Sequence, residues 1–143
     1  MTKQFTAKHV LKRLFMGAFF IAVIFSYLNH LTNQSNITRL YDNKESGAMV
    51  EFKAEVLRSL SDDTIGSRHQ RFIVKHEDIT VLVSHNIDLS HRVPVKKGDI
   101  VTIYGQYEWN NQGGVVHWTH DDPQGRHENG WIKLNGESYG GVY

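Results

Sequence analysis

The feature of the sequence that most constrains the fold is an alternation of apolar and charged residues that begins after Met49. The apolar members are Val50, Phe52, Ala54 and Val56, and one charged residue stands between each pair. A period of two residues indicates a β-strand with one buried face and one exposed face. Similar patterns predict four more strands, at residues 71–75, 79–83, 99–109 and 115–120.

The connections between these strands favour one topology. Residues 61–67 form a polar loop, residues 85–98 a long crossing, and residues 110–114 a hairpin turn. Five strands with a long connection between the third and the fourth have the order of an oligonucleotide/oligosaccharide-binding (OB) fold, a partly open Greek-key barrel. We therefore predict a mainly β, five-stranded OB-like barrel with a bend at Gly105. Little or no helix is expected in the crossing, which contains Pro94. Another small barrel or a sandwich is the alternative.

The amino terminus predicts a membrane-directed helix ahead of this barrel. Residues 14–28 carry no charge, and four basic residues precede them, namely Lys3, Lys8, Lys12 and Arg13. A basic flank stays in the cytoplasm and directs the following chain across the membrane. Residues 1–31 are thus expected to be a transmembrane anchor or a signal peptide. An uncleaved anchor with a periplasmic domain is preferred, because no Ala-x-Ala site follows the run; a protein secreted after cleavage is the alternative.

The remainder divides into a linker at residues 32–47, with a short helix around residues 37–41, and a barrel domain at residues 48–143. From residue 29 onward the chain has 12 basic and 15 acidic residues, a net charge of −3 with neutral histidines. A net negative domain lacks the charge expected of a general nucleic-acid binder, so nucleic acid is not an expected partner. The absence of cysteine excludes disulfides and thiolate chemistry.

Residues 113–131 contain three of the nine histidines and two of the three tryptophans. A turn at Asp122-Pro123-Gln124-Gly125 would bring His120 towards His127. Two imidazoles and a carboxylate are a reasonable ligand set for zinc or another divalent metal, so His120, Asp122 and His127 are the candidate metal ligands. In the alternative interpretation, Asp122 caps the turn and the histidines bond to backbone carbonyls.

Strand alternation also assigns faces within this segment. We expect Val116 and Trp118 to face the core, with His120 on their side and His117 pointing outward. Residues 131–134 follow the loop and are expected to fold back over the barrel as a carboxy-terminal clasp that buries Trp131 and Ile132.

A bound ligand needs polar and aromatic groups on an exposed surface, and four further residues supply them. Strands two and three are the usual binding face of an OB fold. The candidate ligand-binding residues are Arg71, Trp109, His117 and Arg126.

The second half of the chain resembles an uncharacterised bacterial family, a domain of unknown function. The resemblance is carried by His85-Asn86-Ile87-Asp88-Leu89, by Gly98-Asp99, by the run from Tyr104 to Asn110, and by the motif from Val116 to Trp131, which follows the pattern V-H-W-T-H-x-D-P-x-G-x-H-x-x-G-W. Position 121 is Asp where the family pattern often has a second His. The resemblance implies a fold and no activity.

Two functions remain open on the sequence. The preferred hypothesis is a non-enzymatic binding or interaction module, anchored or exported, with an unknown ligand or protein partner in the periplasm. The alternative is a metal-assisted hydrolase of the phosphodiesterase or nuclease type that uses residues 117–128. Periplasmic haem chaperones also combine an anchor with an OB barrel, which makes an anchored carrier a third possibility by fold analogy alone.

Overall fold

The computed structural model describes residues 16–25 and 36–141. Its contacts divide the chain into two units, Met1–Gln34 and Ser35–Tyr143. Residues 16–25 are helical, and each of their side chains is exposed. The flanks of the predicted anchor or signal segment, including its basic residues, lie outside the described residues. Within the described ranges, no helix is both long enough and apolar enough to cross a membrane.

The second unit begins with helix α1, Asn36–Asn43. The short helix predicted near residues 37–41 is therefore confirmed. Ile37, Leu40 and Tyr41 have the i, i+3, i+4 spacing of one helical face. Ile37 and Leu40 are buried in the same core as the strands. The helix thus belongs to the compact β unit, although it lies in the segment predicted as a linker.

Seven strands follow the helix. They are β1 Ala48–Asp63, β2 His69–His76, β3 Ile79–Asn86, β4 Ile100–Glu108, β5 Val115–His117, β6 Trp131–Leu134 and β7 Glu137–Tyr139. The first five pair in a ring with the order β1-β2-β3-β5-β4-β1. The β3–β5 pair is parallel and the other pairs of the ring are antiparallel. The mainly β, OB-like five-stranded fold is confirmed.

The core forms where alternating strand residues meet inside the ring. All four apolar residues of the alternation in β1 are buried, as expected for a strand with one inward face. On β4, the residues Val101, Ile103 and Tyr107 are likewise buried in the core. No helix forms in residues 87–99 between β3 and β4, in agreement with the prediction for the crossing.

Strand β5 is shorter than the sequence predicts, and the prediction that Trp118 faces the core is wrong. The strand ends at His117 because Trp118 adopts a left-handed backbone conformation, with φ of 53°. This conformation breaks the alternation of side chains along the strand. Thr119 is fully buried, whereas Trp118 is only half-buried.

The predicted carboxy-terminal clasp is the β6–β7 hairpin. Strand β6 pairs with β4 from Val101↔Leu134 to Tyr104↔Trp131. Ile132 is fully buried, as predicted. Trp131 is half-buried instead of buried, because its ring lies on the outer face, with Tyr104 on one side and the Lys133 ammonium 4.1 Å from the ring centroid.

Candidate functional site: a histidine-lined cavity

A cavity of about 400 Å³ opens where β2 begins and where β3 and β5 end. His69, the first residue of β2, pairs with Asn86, the last residue of β3. The chain that leaves β5 passes beside them and supplies the other wall. The lining residues are Ser67, His69, Asn86, Leu89, His117, Trp118, His120, Arg126 and His127. Four of the nine histidines of the chain therefore meet at one site.

The structure brings together some of the residues that the sequence singled out and separates others. His117, His120, Arg126 and His127 line the cavity, whereas Asp122, Arg71 and Trp109 do not.

Arg71 lies on β2, where its Nε donates a hydrogen bond to the carbonyl oxygen of Ser61 at 2.9 Å. Trp109 lies beyond the end of β4, where its backbone N–H donates to Ser46 Oγ at 2.8 Å. The Lys44 ammonium is 5.7 Å from the centroid of the Trp109 ring. Both Arg71 and Trp109 thus make their contacts outside the cavity.

Asp122 caps the loop that follows Trp118. Its Oδ1 accepts the backbone N–H of Gln124 at 2.9 Å, and its Oδ2 accepts those of Arg126 at 2.5 Å and His127 at 3.2 Å. These amide hydrogen bonds, led by that from Gln124, hold the pKa of the Asp122 carboxyl below its usual range. The carboxylate is directed into its own turn, and the turn carries Arg126 and His127 to the cavity.

Trp118 separates two of the cavity histidines. Its ring stacks on His127 with centroids 4.5 Å apart and an interplanar angle of 4°, and the His117 ring lies 4.9 Å from it at 36°. His120 meets His127 edge-on, with centroids 5.1 Å apart. The Trp118 ring thus contacts both His117 and His127 and lies between the two imidazoles.

Backbone carbonyls orient three of the imidazoles. Nδ1 of His69 lies 2.7 Å from the Ser67 oxygen, Nδ1 of His120 2.7 Å from the Asp121 oxygen, and Nδ1 of His127 2.8 Å from the Glu128 oxygen. A carbonyl oxygen only accepts hydrogen bonds, so Nδ1 carries the proton in each ring. In the neutral imidazole, Nε2 then has the free electron pair.

Burial favours the neutral form of two of the cavity histidines, His117 and His120. It lowers the pKa of His120 and of His117 below the usual value, the effect of burial being the largest in both. His117 Nε2 is buried without a hydrogen-bond partner among the described residues, and Glu108 Oε1 lies 3.6 Å from it.

His85 is a buried histidine that links the segments around the cavity. It is fully buried at the end of β3, and its Nε2 donates to the carbonyl oxygen of His91 at 3.0 Å. Its Nδ1 then accepts the hydroxyl of Thr119 at 2.8 Å. Burial is the main cause that lowers the pKa of His85 to about 4. The neutral ring thus connects β3, the crossing and the segment that leaves β5.

Glycines allow the cavity segment to lie directly on the sheet. A Cβ at Gly105 would lie 2.5 Å from the His117 carbonyl oxygen, and one at Gly130 would lie 2.0 Å from the Trp118 carbonyl oxygen. The Gly130 N–H donates to the His120 oxygen at 3.0 Å, and the Asp121 N–H donates to the Gly140 oxygen at 2.6 Å. The loop from β5 to β6 is therefore held by backbone contacts at both ends. Gly105, predicted at a bend, leaves room for this segment.

His69 is the main site residue that the sequence analysis missed. Strand two was predicted to begin at residue 71, which left His69 in the preceding loop. Its pairing with Asn86 involves a distant part of the sequence. Among the described side chains, no group of three or more His, Asp or Glu residues is arranged to hold a metal ion, so His120, Asp122 and His127 are not assembled as a set.

These features define a class of protein, a five-stranded OB-like domain with a histidine-lined cavity beside its last ring strand. Residues 19–140 match the model of a family described as "Protein of unknown function (DUF3465)", and the chain belongs to that family. No curated protein matches the chain.

Proposed function

We propose that this protein is a non-enzymatic binding module that takes a small ligand in the histidine-lined cavity. The observation that carries the proposal is the cavity itself, whose volume lies within the roughly 300–1,000 Å³ of typical small-ligand sites. Its wall combines imidazole, guanidinium, amide and hydroxyl groups with Leu89 and Trp118. Such a mixture of apolar surface and convergent polar groups is typical of ligand sites.

Binding is favoured over hydrolysis by the placement of the carboxylates. None of the residues that line the cavity is Asp or Glu. In the segment proposed for hydrolysis, the Asp122 carboxylate binds backbone amides and the Glu128 carboxylate accepts the hydroxyl of Tyr104. These carboxylates are thus committed to loop structure, and general acid–base chemistry would require one within reach of the substrate.

We place this module on the outer side of a bacterial inner membrane. The support is the order of a basic flank, an uncharged segment and a net negative domain. We also infer that the motif from Val116 to Trp131 is the family's binding signature, since it supplies five of the cavity residues and the Asp122 turn that positions two of them.

The test is ligand-observed NMR on the full chain with a panel of monosaccharides, amino acids and nucleosides, in the presence of EDTA. Ser67→Trp fills the cavity mouth, and Thr64→Trp adds the same bulk to the same loop at an exposed position that does not line the cavity. We expect at least one class of probe to bind wild type and Thr64→Trp but not Ser67→Trp. Binding that survives in Ser67→Trp, or no binding by any class, would contradict the proposal.

A further inference from the structure

We propose that His120 and His127 form a two-imidazole site for a divalent transition-metal ion at the wall of the cavity. The inference rests on the proposed function only in that the ion would share the ligand's cavity. It differs from the ligand set predicted from the sequence, because Asp122 takes no part.

The hydrogen bonds of the two rings determine what they can bind. In both, Nδ1–H donates to a backbone carbonyl oxygen, at 2.7 Å for His120 and 2.8 Å for His127. Each neutral ring therefore presents an Nε2 electron pair and no second N–H. An electron pair binds a metal cation, and a metal-ligating histidine usually donates its other ring N–H to a carboxylate, a backbone carbonyl or water.

The rings are also held close together before any ligand enters. Their centroids lie 5.1 Å apart at an angle of 85°. His127 is fixed by its stacking on Trp118, and the backbone of His120 is fixed by the hydrogen bond from Gly130. Two adjacent rings with restrained orientation lose less conformational freedom when an ion binds.

The chemistry of the wall selects the class of ion. Imidazole nitrogen suits Zn²⁺, Ni²⁺ and Cu²⁺, whereas Mg²⁺ and Ca²⁺ require oxygen ligands. No carboxylate lines the cavity. Two protein ligands leave coordination positions for water or for a ligand in the cavity. His69, whose Nδ1 is oriented in the same way, also lines the cavity.

The competing use of the same electron pairs is to accept hydrogen bonds from an organic ligand. Both uses need neutral rings with a free Nε2, but a metal ion bound between the rings engages both Nε2 atoms in the absence of any organic ligand. Simultaneous perturbation of both Nε2 atoms by one equivalent of metal therefore separates the two.

The experiment is calorimetric titration of the full chain with Zn²⁺ and Ni²⁺ at pH 7.5, with Mg²⁺ as the control ion. We expect one Zn²⁺ per chain, no binding of Mg²⁺, and a loss of affinity of about tenfold or more in His120→Ala and in His127→Ala. The matched control is His76→Ala. His76 also has Nδ1 against a backbone carbonyl, that of Lys53 at 2.6 Å, but it does not line the cavity. Its replacement should leave the affinity unchanged.

A second measurement requires no variant. In long-range ¹H–¹⁵N spectra of the wild-type imidazoles, one equivalent of Zn²⁺ should shift the Nε2 resonances of two rings and leave their Nδ1–H assignments in place. No saturable Zn²⁺ binding, equal losses in all three alanine variants, or shifts at Nδ1 instead of Nε2 would overturn the proposal.

The two proposals fail separately. If the organic probes bind in EDTA but Zn²⁺ does not bind, the cavity is a ligand site without a metal, and the metal proposal is wrong. If Zn²⁺ binds at His120 and His127 but no probe does, the metal site stands and the small-ligand function falls.

Discussion

The buried imidazole of His85 makes the stability of the domain depend on pH. Burial lowers the pKa of His85 from 6.5 to about 4, whereas the unfolded chain regains the ordinary value near 6.5. A depressed pKa means that the unfolded state binds the proton more tightly. The contribution of His85 is therefore fully present above about pH 6.5 and is lost as the pH falls towards about 4.

The magnitude follows from linkage. At pH 5 almost every unfolded chain carries a proton at His85, whereas only about a tenth of the folded chains do. The free energy of unfolding should then decrease by roughly 2 kcal/mol between pH 7 and pH 5 because of this residue alone. With a urea m-value of about 1–3 kcal/mol/M, the midpoint should fall by about 1 M.

The assay is urea unfolding of wild type and His85→Asn at pH 7 and pH 5. Burial also lowers the pKa values of His117 and His120, so these rings act in the same direction. Only the difference between the two proteins isolates His85. The pH-dependent loss should be about 2 kcal/mol smaller in the variant.

NMR titration of the wild-type imidazole checks the premise directly, even if the variant does not fold. His85 should remain neutral at pH 5.5. Titration of this ring near pH 6.5, or the same pH dependence in wild type and variant, would refute the reasoning.

Three further perturbations test the framework around the site. Gly130→Ala would place a Cβ 2.0 Å from the Trp118 carbonyl oxygen, so it should destabilise the domain by about 3 kcal/mol in urea melts. The control Gly141→Ala, which has no atom within 4 Å of the added Cβ, should change the stability little. Equal losses of stability in the two variants would contradict the close contact at Gly130. Trp118→Ala should cost roughly 1–2 kcal/mol, as expected for a half-buried ring, and a loss above about 3 kcal/mol would instead indicate a core residue. A carboxy-terminal alkaline phosphatase fusion should be active if the domain is exported, and an inactive cytosolic fusion would contradict the proposed location.

The strands were predictable because burial of one face imposes a period of two on the sequence. In β1 every second residue from Val50 to Val56 is buried. The helix α1 was predictable for a related reason, since Ile37 and Leu40 lie on one helical face. Its packing against the barrel could not be predicted, because the polar residues around it resemble a linker.

The end of β5 could not be predicted from the pattern. Trp118 continues the apolar alternation of Val116, yet it has a positive φ. A tryptophan in this conformation has no sequence signature. It is held there by contacts from distant segments, including the backbone of Gly130 against its carbonyl oxygen.

The cavity was partly predictable. The concentration of histidines at residues 117–127 indicated three of the four imidazoles, and the turn residues after Asp122 indicated the cap that the structure shows. His69 could not be assigned, because it reaches the cavity through strand pairing with Asn86. Arg71 was selected from the expected binding face of strands two and three, and Trp109 from the hairpin between strands four and five, but neither residue lines the cavity.

Strands β5 and β6 pair with the same edge of β4, and this makes the loop between them replaceable. Strand β5 pairs with residues 106–108 of β4, and β6 pairs with residues 101–104 on the same edge. His117, the last residue of β5, pairs with Gln106, and Trp131, the first residue of β6, pairs with Tyr104. The loop of residues 118–130 therefore connects two neighbouring positions on the same edge of β4. We expect residues 121–129 to tolerate changes of length and chemistry without a change in strand register, whereas Thr119 is buried against His85 and has to be retained. The barrel is thus a constant frame, and exchange of residues 121–129 should change the wall of the cavity while Thr119, Gly105 and Gly130 are retained as attachment points.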